Sequence, residues 1–492
     1  MAHKMAKRDV ELFVSLVPSI IEGSLSHANE QIVASAIVCL ATFVQELGPR
    51  AVPHLPKFFP IIMAQFENGI GQSEIMTLSC LSALEVMVQT LAQFISPYMG
   101  RILACLLRPQ LNQATFSHDA QSQIREKINA LVKGITTQVA PRLLLPALVE
   151  QIVTCMAAGA QSLTTYFTLV SKFIEALEKE AIMGHHMQLF KLFVVSFNFR
   201  NTLSRDLYTL DQITAVENSV LDSFYSFVMK LNEKMFKPLF LKLADWATSD
   251  LLLKNGFTAL EVENRCLVFY RLLDLMLTKL KSIFAPYYSF VFDHAVAKLT
   301  ENTDATPLNV ELWKNVVLSL TKFLTYDNDN AFNQERYDKV LQPLVDQMDV
   351  AVGVSKDDHA EYLTRMRTYL VPCFGAMAIN LGNDASWKQM NYQVLMKSRC
   401  EAPEVRPQTH PVYPLEGPNS SPFSPKIRLI SLRILQEFYT RLGEEFLALL
   451  PETIPFLAEL MEDDDFEVEK LCQNVCQLIQ QYLGEDLTKY FN

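Results

Sequence analysis

Few residues of this chain have the types and spacing that chemistry needs. Glu462-Asp-Asp-Asp-Phe-Glu-Val-Glu masses carboxylates of the kind that share acid–base work or hold a hard cation. It also falls at a turn between two helical patterns, so it reads as a solvated corner whose acids favour a helix N-terminus. Docking of a basic partner segment is the intermediate reading. Cys472 and Cys476 lie four apart, a spacing open to metal ligation, but both fall on an apolar stripe and read as packed thiols. His185 and His186 are adjacent, and neighbouring side chains on a helix diverge by about 100°. They read as a solvated or capping pair. Gly69-Ile-Gly71 is half a glycine fingerprint; it lacks the third Gly, follows no strand, and reads as a helix–helix loop. Lys230, Lys234, Lys237 and Lys242 are diluted among apolar residues, as at helix edges and unlike a phosphate track. Trp246, Trp313 and Trp387 sit among apolar neighbours as core anchors. No P-loop, H-E-x-x-H or G-x-S-x-G is present, and no nucleophile is assembled with a base. The sequence therefore assigns no catalytic, cofactor-binding or metal residue, and the expectation is a protein that is not an enzyme.

The elements that would position such residues are helices throughout. Ile427, Ile430, Ile434, Leu435, Phe438 and Leu442 fall on one side of a helix, with Arg428, Arg433 and Arg441 off it. Val468, Cys472, Val475, Cys476, Ile479 and Leu483 repeat the pattern. A second signal is a recurrence of apolar-x-Pro corners before an apolar helical stripe. It occurs at Val52–Phe59, Ile95–Leu103, Val139–Pro146, Phe284–Val291 and Leu449–Leu457, the first and last without the spacer residue. Each follows an amphipathic stretch, namely Ile37–Leu47, Leu84–Phe94, Ile128–Thr137, Arg271–Ile283 and Leu429–Phe446. Proline cannot continue a helix but suits the first turn of the next. Pro53, Pro97 and Pro141 are spaced 44 residues apart, within the period of HEAT and armadillo units. The expected fold is all-α, an α-solenoid of HEAT-like helical hairpins. Its expected segments are repeats over 1–160, a specialised helical domain over 161–350, a helical repeat over 351–400, a Pro-rich loop or insertion over 401–425, and a last repeat over 426–492. Seven prolines fall within 401–425, a density at which no helix survives.

Composition narrows the class. Half of the 492 residues are hydrophobic, which excludes global disorder, and only 15 are Gly, which argues against turn-dense β folds. The formal net charge of −11 points to protein partners over non-specific nucleic-acid binding. Nine dispersed cysteines without a C-x-x-C read as reduced intracellular thiols. The charged start, Met1-Ala-His-Lys-Met-Ala-Lys-Arg, is unlike a signal peptide. The most apolar stretches, Ala34–Val44 and Leu189–Phe199, are expected to be too short and interrupted to span a bilayer.

Several passages also carry a resemblance. Phe236-Lys-Pro-Leu-Phe-Leu-Lys-Leu-Ala-Asp-Trp-Ala resembles the hallmark segment of the C-terminal domain of the HEAT repeat-containing protein 1 family, which includes the yeast-type U-three-associated protein ten. Leu450-Pro-Glu-Thr-Ile-Pro-Phe-Leu-Ala-Glu-Leu-Met-Glu-Asp and Leu483-Gly-Glu-Asp-Leu-Thr-Lys-Tyr-Phe are similar to that family's extreme C-terminus. Asn391-Tyr-Gln-Val-Leu-Met-Lys-Ser-Arg and Ala402-Pro-Glu-Val-Arg fit as well. Family members are several times longer, and 407–425 interrupts their pattern, as an insertion or as retained non-coding sequence. The resemblance implies a nucleolar, non-enzymatic scaffold of the small-subunit processome, supporting pre-rRNA processing and polymerase I transcription. Its implied partners are other processome proteins, with the U-three snoRNP and pre-rRNA reached mostly indirectly, and with no membrane, small-molecule substrate or cofactor. The alternative, from acidity and repeats alone, is a HEAT-repeat nuclear transport receptor or adaptor.

Overall fold

The computed structural model describes residues 14–15, 17–112, 116–202, 208–249, 251–301, 306–348, 359–399 and 425–490. Among these, every regular element is a helix, and the all-α, hairpin-built class expected from the sequence is what is found. The chain divides into two compact units, Met1–Phe240 and Leu241–Asn492.

The first unit contains α1 (Glu30–Leu47), α2 (Leu55–Gly69), α3 (Glu74–Leu91), α4 (Met99–Leu106), α5 (His118–Gln138), α6 (Pro141–Ala158), α7 (Ala160–Ala176), α8 (Lys179–Phe197), α9 (Leu210–Val228) and the start of α10 (Glu233–Thr248). Helices α1, α3, α5, α7 and α9 pack side by side as one layer, and α2, α4 and α6 form a second. The second unit repeats the plan with α11 (Ala259–Leu280), α12 (Phe292–Glu301), α13 (Pro307–Tyr326), α14 (Gln334–Asp346), α15 (Val371–Leu381), α16 (Asp384–Ser398), α17 (Pro425–Leu442), α18 (Leu450–Met461) and α19 (Phe466–Leu483). Its odd-numbered helices form the first layer and its even-numbered ones the second.

The two kinds of corner are built differently. Chain entering a first-layer helix is stopped by a polar side chain: Asn29, Ser73, Ser117, Thr209, Thr258, Thr306 and Asp465 each accept a backbone N–H of the turn they cap. Chain entering a second-layer helix often uses proline, at Pro56, Pro141 and Pro451. Three of these corners begin with a positive φ, at Gly48 (56°), Lys281 (49°) and Gly443 (57°). Gly48 and Lys281 have nearly the same backbone, with ψ of −131° and −125°; each donates its N–H four residues back and opens a 3₁₀ turn. Glycine meets that conformation without strain, whereas an L side chain costs about 1–2 kcal/mol.

Buried thiols and phenols fasten the layers. Cys80 donates to the Ile62 carbonyl, Cys266 to Ala247, Cys472 to Leu457, and the Tyr166 hydroxyl to Leu148. In each case the bond runs to the helix or turn just before it in the chain. Rungs between successive repeats run within a layer: Lys127 Nζ to Glu85 (2.9 Å), Lys172 Nζ to Asn129 (2.9 Å), Lys322 Nζ to Asp274 (2.5 Å) and Lys339 Nζ to Asp293 (3.3 Å). Aromatic side chains pack between helices in both units: Phe193, Phe197, Phe224 and Phe227 form one cluster, and Tyr288 stacks on Phe323 at 4.8 Å.

Several expectations change. The stripe ending at Ile283 closes as a helix at Leu280, where Lys281 turns the chain. Arg428, placed off the stripe of α17, is buried, because α17 has first-layer neighbours on both flanks and its buried face is correspondingly wide. Three helical stretches, Glu30–Gly69, α3 and α6, are long and apolar enough to cross a membrane by length and composition alone. That overturns the expectation drawn from Ala34–Val44, since α1 extends past that stretch at both ends with only Glu30 and Glu46 charged. Half of the α1 and α3 windows and a third of α6 are buried inside the protein. The Pro-rich stretch 401–425 lies outside the described residues except for Pro425, which opens α17.

Candidate functional site

The hallmark-like segment 236–247 lies on α10. Phe236, Leu239, Phe240, Leu243, Ala244 and Ala247 are buried at helical spacing, while Lys234, Lys237 and Lys242 are exposed on the opposite side. Lys230 does not join them. Its ammonium donates to the carbonyls of Glu175 (2.7 Å) and Leu177 (3.1 Å), closing a corner of the first unit.

Trp246, half-buried, is a platform for the protein's own arginine. The Arg265 guanidinium carbon lies 4.0 Å from the Phe257 ring centroid and 5.1 Å from that of Trp246, and Nη1 donates to the Trp246 carbonyl at 3.5 Å. Burial pulls the Arg265 pKa down, and Glu261 opposes that pull. One turn earlier, Thr258 and Glu261 form a reciprocal capping box that opens α11. Cys266, next in sequence, has its thiol pushed up to about 11 by burial. Tyr270 hydrogen-bonds His294 at 2.9 Å. The arrangement is a desolvated, mutually satisfied clamp, with no group poised for proton or group transfer. Trp313 and Trp387 are core anchors, donating to Gln347 and to the Ala378 carbonyl.

The acidic corner divides into roles. Asp465 caps α19, accepting from the amides of Glu467 and Val468, as the helix-dipole reading expects. Asp463 does something the sequence reading missed: it holds Arg428 in a fork, Nε to Oδ2 at 2.8 Å and Nη2 to Oδ1 at 3.1 Å, with both side chains 7% exposed. The available signal was register, because Arg428 is in line with Leu432, Leu435 and Tyr439, all buried. A second buried pair, Arg200–Glu217, is bidentate at 2.8 Å for both contacts. The Cys472 thiol is raised by its neighbour Cys476 and by burial. His186 bonds the Met183 carbonyl and His185 approaches Gln188, so the two rings serve their own helix. Gly69–Gly71 is a helix–helix loop in which Gly71 takes a φ of 75°.

Three of the clefts among the described residues are open to solvent. One of about 490 Å³ is flanked by Ile20, Asn29, Ile32, Ser35 and Cys39, one of about 310 Å³ by Phe116, His118, Gln121, Ser122 and Arg125, and one of about 260 Å³, between α5 and α7, by Asn129, Thr164, Thr168 and Lys172. Among the described residues no group of three or more His, Cys, Asp or Glu gathers as a metal would need.

Comparison with known proteins gives the following. Residues 181–332 match the BP28CT (NUC211) domain, the stretch that holds α10, α11 and the Arg265 clamp. HEAT repeat-containing protein 1 of Homo sapiens is 30% identical over 477 residues, 94% of this chain and 20% of that protein. Its homolog in Dictyostelium discoideum is 27% identical, covering 100% of this chain and 26% of that one. U3 small nucleolar RNA-associated protein 10 of Schizosaccharomyces pombe is 26% identical, covering 98% and 26%. The chain thus spans about a fifth to a quarter of the length of these relatives. A crystal structure of importin beta aligns over 97% of this chain and 57% of that one, at 13% identity and a TM-score of 0.37, too low to carry an argument. Across nearly all of its own length, the chain is similar to HEAT repeat-containing protein 1 and to U3 small nucleolar RNA-associated protein 10, and its residues 181–332 match the BP28CT domain.

Proposed function

We propose that the chain is a non-enzymatic scaffold of the nucleolar small-subunit processome, supporting pre-rRNA processing and polymerase I transcription. The observation that carries this is the near-complete sequence relation to a protein named for association with U3 small nucleolar RNA. The mechanism is geometric. Each stack of hairpins offers an extended surface on which several partners bind together, and joint occupancy raises the effective concentration of each for the others. In this reading 161–350 is the family-specific domain, and 1–160, 351–400 and 426–492 are repeat surfaces. Contact with the U3 particle and pre-rRNA runs mainly through other proteins, which suits a net charge of −11. The same reading assigns no catalytic, cofactor or metal residue.

The test is purification of the tagged full chain from its own cells. Enrichment in nucleoli, with U3 RNA and small-subunit precursors recovered alongside, is the expected result. Shuttling at the nuclear envelope with a small GTPase, and no pre-rRNA, would replace this reading with the transport receptor.

A further inference from the structure

We propose that the corner joining α11 to α12, residues 281–291, is a docking surface for an acidic segment of a partner protein that carries aromatic or aliphatic side chains. The first observation is an outlier. Lys281 holds the backbone that glycine takes at Gly48, with φ of 49° against 56°. Gly443 begins the last corner with a φ of 57°. A glycine would serve the turn without strain, so the fold gains nothing from a side chain there except what that side chain touches. Its ammonium lies 6.0 Å from the Tyr326 ring, and among the described residues it makes no ion pair with a carboxylate. Strain kept at a position where a simpler residue would fit points to use outside the fold.

The second observation is what surrounds it. Ile283 is 75% exposed, the most of any large apolar side chain among the described residues, and Phe290 is 51% exposed. Lys279 is exposed beside Lys281. Residues 279–291 thus carry two exposed cations, two exposed apolar side chains and no acid, in a chain of net charge −11. The base beneath them is rigid. Phe284, Ala285 and Tyr288 are buried, and the Tyr288 hydroxyl is bonded to Ser319 at 3.1 Å. Anchors held by a packed base lose little freedom on binding. An aliphatic anchor as prominent as Ile283 offers nothing to a phosphate, and two lysines are too few to track a nucleic-acid backbone. This deepens the scaffold reading by naming one partner-facing surface and its chemistry. Its test uses the purified chain alone, so it fails or stands apart from the nucleolar recovery experiment.

The test is fluorescence anisotropy on the full chain with a labelled peptide repeating Glu-Asp-Phe-Glu-Asp-Leu three times. Controls are the same peptide with Ser in place of Phe and Leu, and an oligouridylate. Expected is binding of the first peptide alone, weakened about tenfold by Ile283→Asp with an unchanged thermal melt. Lys281→Gly is the decisive variant: it should raise the melting temperature and yet weaken peptide binding several-fold, about threefold to fivefold. Equal binding of the Ser peptide, preference for the oligouridylate, or self-association that Ile283→Asp abolishes would overturn the proposal. So would a Lys281→Gly variant that melts no higher, or one that melts higher and binds as before.

Discussion

At the scale of single residues, the largest energies belong to buried charge. Arg428 and Asp463 are removed from water together and pair through an ion contact at Nε and a hydrogen bond from Nη2. Removing one partner strands the other. Asp463→Ala is expected to cost about 3–5 kcal/mol, read from urea unfolding of the full chain. Replacing both partners with apolar residues of similar volume should recover most of that loss, because the pair offsets its own desolvation and contributes little beyond it. The thiols give a pH dependence. Burial raises Cys80, Cys155 and Cys373 to about 12, and Cys105 and Cys266 to about 11, from an ordinary 9.0. Once unfolded, these thiols ionise near pH 9 while the folded ones keep their protons, so the unfolded state binds fewer protons and gains with rising pH. Thermal stability is therefore expected to be fully present below pH 9 and to fall between pH 9 and about 12. A set of calorimetric melts showing increasing stability through that window would contradict the burial of these groups.

At the scale of elements, α10 and α11 are joined by a planar cation between two rings. Arg265→Lys keeps the charge but loses the flat stacking surface and the fork of donors. It should lower stability by about 1–2 kcal/mol, measured by denaturant midpoint. Gly375 shows how close first-layer helices come: a Cβ there would lie 2.7 Å from Arg441 Nε and 2.8 Å from Glu437 Cγ. How far such elements were legible depends on which chemistry made each corner. Proline corners at Pro53, Pro97, Pro141, Pro286 and Pro451 could be read because proline has one conformation to offer. The corner before α16 could not, because Asn383 caps that helix with a side chain, and asparagine is equally at home on any surface. Arg265 and Arg428 were illegible for a related reason. A buried arginine has the sequence appearance of an exposed one until its partners, distant by chain, are brought up to it.

At the scale of the whole molecule, each unit is a stack in which a repeat depends on its immediate neighbours. The resemblance was drawn from blocks between 236 and 491, and the similarity to relatives over 94–100% of the chain extends it to the repeats before them. Deleting 407–424, which spares the Pro425 that opens α17, is expected to shift the melting temperature by no more than about two degrees; a large drop in a thermal melt would contradict the reading as an insertion. The cross-repeat rungs also set rules for how such a gene may change length. Lys127 meets Glu85 and Lys172 meets Asn129 across nearly the same interval of chain, and Lys322 and Lys339 repeat the device in the second unit. One residue inserted inside a first-layer helix turns everything after it by about 100° and swings such a lysine off its partner. A whole hairpin copied into the stack brings its own rung at the right interval. Duplication in hairpin units, or growth at the corners, is then the tolerated edit, and single-residue change within a helix the forbidden one.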